Sequence, residues 1–337
     1  MKKVLVSILS DHLVPNYLFI KEMRGQYNEL LFIGTPYTES KEIATHLENV
    51  LEDKAENIKK IIVESDQYQK GLQSLANTSM PTDVHYIVNL TGGTKIMSLI
   101  VYDFFRKLNS SFYYIPIGKN TYCNIEEENM HALQYRISLR EYFTLYGLHY
   151  ECDNALLKEA KTTFQFFEKQ KKRKFYLSNE IKKSHQAETA TDKKYYAGEW
   201  FEEYTYLRIK KELNLREQDI AMSLKIYRED SQNNDNEIDV AFMYENTLYI
   251  IECKVSMNGF SMLGYGKKPQ QTIEEFLYKL AAISKDFGLI VRPYIFTLHK
   301  MENLPDGSLK SLQKRMQILG IRNIIDGRQL SKQKIEF

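Results

Sequence analysis

Cysteine is scarce in this chain of 337 residues: Cys123, Cys152 and Cys253 are odd in number, widely spaced and form no CxxC pair. That excludes a disulfide framework and a cysteine zinc site, and it fits a reducing cytoplasm. No stretch approaches the roughly 20 apolar residues needed to cross a bilayer. The N-terminal run MKKVLVSILSDH meets Asp11 and His12 before the apolar region of a signal peptide can develop. A surplus of one charge is missing as well. With 46 basic against 44 acidic residues the net charge is +2, so attraction to nucleic acid has to come from local patches. There is no internal repeat, no low-complexity tract, no GxxxxGK[ST] or GxGxxG phosphate loop, and nothing resembling a Ser, His and Asp triad.

What is present is a globular composition, 43% apolar and 12% aromatic, in a length that suits two domains. KVLVSIL (3–9), ELLFIGT (29–35), DVHYIVNL (83–90) and SFYYIPI (111–117) read as strands. Between them lie the helical stretches NYLFIKEMRGQY, ESKEIATHLENVLEDKAENIKKIIVES and IMSLIVYDFFRKL. This alternation predicts an α/β fold, a parallel Rossmann-like sheet with helices on both faces, over residues 1–150. Residues 151–197 turn charged and helical and are expected to form a connector, lysine-rich from 169 to 194. A second αβ domain over 198–337 opens with GEWFEEYTYLRIKKEL, passes through a hairpin and ends in helix, strand, helix and short strand.

The hairpin is DVAFMYENTLYIIECK (239–254), with Glu245 and Asn246 at the centre of a tight turn. That register sets Asp239 directly across from Glu252, their Cβ atoms roughly 4.5–5.5 Å apart. Lys254, two residues on, shares their face, while Ile251, Cys253 and Val255 point the other way. Two neighbouring carboxylates repel unless a cation lies between them, and hard oxygen donors suit Mg²⁺ or Mn²⁺. An ion there, with Lys254 beside it, suits phosphodiester hydrolysis. In the first domain, VNLTGGTKIMSL (88–99) joins strand to helix through a loop suited to anions. Gly92 and Gly93 permit close backbone approach, and Thr94 and Lys95 add a hydroxyl and a charge.

The D-x(12)-E-x-K pattern, in the order helix, hairpin, helix and strand, resembles the PD-(D/E)xK nuclease family, with Ile238 where the family often has Pro. The resemblance implies a restriction-endonuclease-like domain with metal contacts at Asp239, Glu252 and Cys253. It also implies a further carboxylate from the preceding helix, for which Glu199, Glu202 and Glu203 are candidates and Glu202 is preferred, and a phosphate contact from Lys279. SILSDH after the first strand, NLTGGTK after a later one and ISLREYFTLYG (137–147) resemble the CARF (CRISPR-associated Rossmann fold) domain. That second resemblance implies a sensor of cyclic oligoadenylate, contacted by Ser10, Asp11, His12, Thr35, Gly92, Gly93, Thr94 and Lys95. Together the two imply a cyclic-tetra-adenylate-activated, metal-dependent nuclease of type III CRISPR defence, acting on RNA or DNA as a cytoplasmic homodimer. Two alternatives remain at this point: a regulator whose C-terminal domain binds nucleic acid without cutting, and an N-terminal domain that degrades the cyclic ligand.

Overall fold

The computed structural model of the chain describes residues 1–51, 58–172, 189–228, 236–255, 269–288, 290–299, 301 and 308–337. It separates into two units, Met1–Leu148 and His149–Phe337. Among the described residues no helix is long and apolar enough to cross a membrane.

In the first unit, β1 (Lys3–Ile8), β2 (Glu29–Gly34), β3 (Ile58–Ile62), β4 (His85–Asn89) and β5 (Ser110–Tyr114) pair in parallel in the order β3-β2-β1-β4-β5. β6 (Thr121–Asn124) and β7 (Met130–Ala132) extend the sheet antiparallel. The central strand β1 is buried at every residue after Lys3, as a parallel strand covered on both faces should be. The order reverses between β1 and β4, which makes the carboxyl ends of these two strands the topological switch point of the sheet, where open α/β sheets bind their ligands. One expectation needs correction here. The stretch 39–65 is not one helix: the helix is Ile43–Leu51, and Ile58–Ile62 leaves it to pair with β2 as the edge strand β3. β-branched Ile58, Ile61 and Ile62 favour the extended form, while the exposed lysines between them obscure the strand in the pattern.

The second unit holds a six-stranded sheet in the order β13-β12-β11-β10-β9-β8. Its strands are β8 (Leu148–Glu151), β9 (Ile220–Arg228), β10 (Asn236–Tyr244), β11 (Thr247–Lys254), β12 (Val291–Thr297) and β13 (Asn323–Ile325). β9, β10 and β11 are antiparallel neighbours, whereas β12 and β13 follow in parallel. Helix Trp200–Glu212 covers one face with Trp200, Phe201, Tyr204 and Ile209 buried.

The expected connector 151–197 also differs from what is found. Residues 173–188 lie outside the described ones, and with them most of the lysine-rich run. The described remainder belongs to the core of the second unit: helix Ala160–Lys172 lays Phe167 flat on Tyr204, centroids 3.8 Å apart, and Phe166 edge-on against Trp200 at 4.8 Å. Its high charge hid a narrow apolar stripe. Phe167→Ala is therefore expected to lower unfolding stability by about 3–5 kcal/mol, as buried aromatics do. A linker residue would stay within about 0.5 kcal/mol; urea titration separates the two.

Candidate functional site

In the second unit the chemically capable side chains come from the hairpin β10–β11 and the two helices that flank it in sequence. Glu245 (φ 48°) and Asn246 (φ 59°) both take left-handed conformations, the two-residue turn whose twist suits adjoining strands. Val240 pairs with Ile251 and Tyr244 with Thr247, which is the register the turn predicts; continued one step, it sets Asp239 across from Glu252. On the other side of β10, Ile238 pairs with Leu224 and Val240 with Met222, while Ser223 between them adopts φ 50°. A non-glycine residue held there costs roughly 1–3 kcal/mol and recurs beside functional sites.

Lys254 Nζ lies 2.8 Å from Glu252 Oε1 and 3.5 Å from Asp239 Oδ2, so the three side chains share one space. Lys279, from helix Pro269–Ser284, reaches both Glu252 oxygens at 3.2 Å. Glu252 is 2% exposed, and the two ammonium groups make its burial tolerable. Asp239 accepts the main-chain N–H of Cys253 at 2.6 Å. Burial pushes the Asp239 carboxyl above the usual range, and the charge of Glu252 adds to this against the pull of Lys254. Burial also raises Glu202, in the first turn of helix Trp200–Glu212, and the charge of Asp239 is its second cause. For Lys254 burial works against the ammonium, yet Asp239 and Glu252 outweigh it and keep the group above the ordinary lysine range.

The other helix carboxylates are engaged elsewhere. Glu199 pairs with Lys194 at 2.7 Å. Glu203 is buried and accepts from Thr163 Oγ1 at 3.0 Å and from the Leu157 N–H. Cys253 has its thiol in the apolar core, where burial, followed by the charges of Asp239 and Glu202, raises its pKa well above the normal thiol value, and its main-chain N–H is what Asp239 accepts.

Among the described residues no group of three His, Cys, Asp or Glu side chains stands ready to enclose a metal ion. The donor set still has a definite chemistry. Asp239 and Glu252 offer two hard carboxylates, and two lysines presently offset their charge. Such a pair fits a small divalent cation that keeps most of its waters, as Mg²⁺ does, better than a closed cage.

In the first unit the loop after β4 packs against Ile8, the last residue of β1. A Cβ at Gly92 would lie 1.9 Å from the Ile8 carbonyl oxygen, and Gly93 needs φ 75° with Ile8 Cγ2 only 2.6 Å from where its Cβ would be. The Ile8 carbonyl is fixed by Asn16, fully buried, whose Nδ2 donates to it at 2.8 Å and to Ser7 Oγ at 2.6 Å. Thr94 caps helix Lys95–Phe105 by accepting the Met97 N–H at 3.2 Å. Gly93, Thr94 and Lys95 are exposed where the first amides of that helix lack intrahelical partners. In the loop after β1, Ser10 Oγ donates to the His12 carbonyl at 3.4 Å; His12 is half-buried, which lowers its pKa. Thr35 is buried instead, its hydroxyl accepting the Thr38 N–H as a helix cap. What its loop exposes is Tyr37, whose hydroxyl donates to Asp11 Oδ2 at 3.1 Å. Sequence reasoning passed over Tyr37, although an aromatic directly after Thr-Pro in a loop at the carboxyl edge of the sheet was visible.

Two family profiles match this sequence. The one described as the Card1 CARF domain matches residues 4–142, and the one described as the Card1-like endonuclease domain matches residues 189–334. The chain belongs to the Card1-like CARF nucleases. Among solved structures, protein VC1899 from Vibrio cholerae superposes on this Card1-like chain with a TM-score of 0.75 at 19% identity, covering 97% of this chain and 95% of the other. Can2 from Sulfobacillus thermosulfidooxidans, solved in complex with cyclic tetra-adenylate, gives 0.71 at 22% identity over 95% and 94%. A type III CRISPR defence DNA nuclease activated by cyclic oligoadenylate gives 0.56 at 16% identity, covering 94% of this chain and 52% of that one. At such identities these three speak for the fold. No protein of curated function matches by sequence. The Card1-like endonuclease profile contains the hairpin with Asp239, Glu252 and Lys254, and the CARF profile contains all three loops at the carboxyl edge of the first sheet.

Proposed function

We propose that this Card1-like chain is a metal-dependent nuclease of type III CRISPR antiviral defence, cutting RNA, DNA or both, and switched on by cyclic tetra-adenylate. The first unit is its sensor and the second its blade. The observation that carries the reading is the convergence of Asp239, Glu252 and Lys254 on one face of the hairpin, with Glu202 sensing the charge of Asp239. This is the constellation a PD-(D/E)xK site requires. Asp239 and Glu252 would hold Mg²⁺ or Mn²⁺, which would supply polarisation of a phosphoryl oxygen and a more acidic water. Lys254, kept charged by both carboxylates, orients an attacking water or offsets charge growing on the phosphoryl oxygens. Lys279 can leave Glu252 for a substrate phosphate once another cation neutralises that carboxylate.

Cyclic tetra-adenylate suits the first unit because Gly92, Gly93, Thr94 and Lys95 offer amides, a hydroxyl and an ammonium to phosphates at a helix N-terminus of 11 residues, opposite Ser10, Asp11 and His12. Its two-fold ring calls for two copies of this loop, hence a homodimer. Ile96 and Leu99, exposed just beyond the loop, give a second copy apolar surface to cover. Ligand activates only by binding the cutting arrangement better than the idle one. The test is a cleavage assay on RNA and DNA with Mg²⁺ or Mn²⁺, with and without cyclic tetra- and hexa-adenylate. Cutting that requires both metal and the four-membered ring is expected. Cutting independent of ligand would overturn the sensor half, and absence of cutting in every mixture would overturn the nuclease half. Ligand incubated with the chain without metal should be recovered intact.

A further inference from the structure

Tyr37 is an exposed aromatic, 53% accessible, at the carboxyl edge of a parallel sheet, and three features keep its ring in place. Pro36 before it fixes φ at the first position of the short helix Pro36–Ser40. The reciprocal cap between Thr35 and Thr38 pins the backbone on both sides: the Thr38 N–H donates to Thr35 Oγ1 at 3.2 Å, and the Thr35 N–H to Thr38 Oγ1 at 2.8 Å. The Tyr37 hydroxyl then crosses to the loop after β1 and donates to Asp11 Oδ2 at 3.1 Å. The ring thus bridges two of the three loops at the carboxyl edge of the sheet. The third loop carries the exposed Gly93, Thr94 and Lys95 at the carboxyl end of β4, two strand spacings from β2 in the order β2-β1-β4. That is roughly 10 Å, the scale on which a nucleotide separates its phosphate from the far side of its base.

We infer that Tyr37 is a base-stacking wall of the ligand site: an adenine of the cyclic ligand lies on its ring while the adjoining phosphate meets the Thr94–Lys95 helix start. This rests on the sensor reading above and adds the residue that reads the base. A ring already immobilised by its hydroxyl loses little freedom on stacking, so more of the contact survives as affinity. The role of Asp11 is then to position Tyr37 as well as to line the loop.

The experiment measures binding of cyclic tetra-adenylate to the full chain by calorimetry for wild type, Tyr37→Phe and Tyr37→Leu, with melting temperatures alongside. Tyr37→Leu should weaken binding by about 5- to 150-fold, the equivalent of the roughly 1–3 kcal/mol of a base–aromatic stack, with an unchanged melting temperature. Tyr37→Phe keeps the ring and should stay within about fivefold of wild type. A role in structure alone would move the melting temperature and would not separate Phe from Leu. Wild-type affinity in Tyr37→Leu would overturn this inference and leave the sensor reading standing; a wild-type chain that binds no ligand would overturn both.

Discussion

Asp239→Asn should remove nucleic-acid cleavage while raising the melting temperature of the metal-free protein. The loss follows from the second carboxylate of the pair: an amide oxygen is a poorer donor for a hard cation, and a step that depends on several kcal/mol of charge stabilisation slows by about three orders of magnitude or more when it goes. The gain follows from the sign of the Asp239 shift. Burial and the charge of Glu252 raise its folded pKa above the unfolded value, so at neutral pH the ionised carboxylate weakens the fold. That penalty is absent in acid, where Asp239 is protonated in both states, and it grows as pH rises through the shifted range. Asparagine carries no such penalty and can still accept the Cys253 N–H through its oxygen. Lys254 keeps Glu252 at 2.8 Å. Calorimetric melts without metal, beside cleavage assays with it, check both halves at once. Cyclic tetra-adenylate should still bind. A variant that lost cleavage by losing its fold would melt lower, and one that still cut would remove Asp239 from the site.

The hairpin was legible because turn and register are local. Glu245-Asn246 fixes the turn, the turn fixes which residues face each other, and strand alternation brings Lys254 to the carboxylates. What escaped is non-local or masked by charge. The stretch with Ile58, Ile61 and Ile62 looks helical until β2 offers it a parallel partner. Helix Ala160–Lys172 looks like a solvated linker because lysines crowd a stripe that only Tyr204 and Trp200 reveal as core. Among Glu199, Glu202 and Glu203 the sequence favours Glu202, but what engages the other two is tertiary: Lys194 pairs with Glu199 and Thr163 donates to Glu203. For Thr35, expected as a ligand contact from its loop position, the burial and the cap made with Thr38 three residues on are likewise features of the folded turn.

The other large effect concerns Gly92, where a single methyl group is expected to silence the sensor. Its Cβ would fall 1.9 Å from the Ile8 carbonyl oxygen, far inside contact distance, and the obstacle is backbone, not a side chain that could rotate away. Ile8 cannot retreat easily either. It ends a strand held between β2 and β4, its side chain is fully buried, and Asn16 Nδ2 grips its carbonyl. Gly92→Ala must therefore move the loop after β4 away from the end of β1, carrying Thr94 and Lys95 with it. A displacement near 1 Å in a positioned site costs about 100-fold or more. Affinity for cyclic tetra-adenylate should fall by at least that factor, and cleavage in the presence of ligand should drop to the ligand-free level. Circular dichroism should show the same helix and sheet content as wild type, since the change lies at a loop. Lys95→Ala makes the useful contrast, because it leaves the loop in place and removes one exposed charge, so its loss should be smaller and should shrink with added salt. Full activation of Gly92→Ala by the ligand would mean that contact between this loop and the end of β1 is irrelevant to sensing.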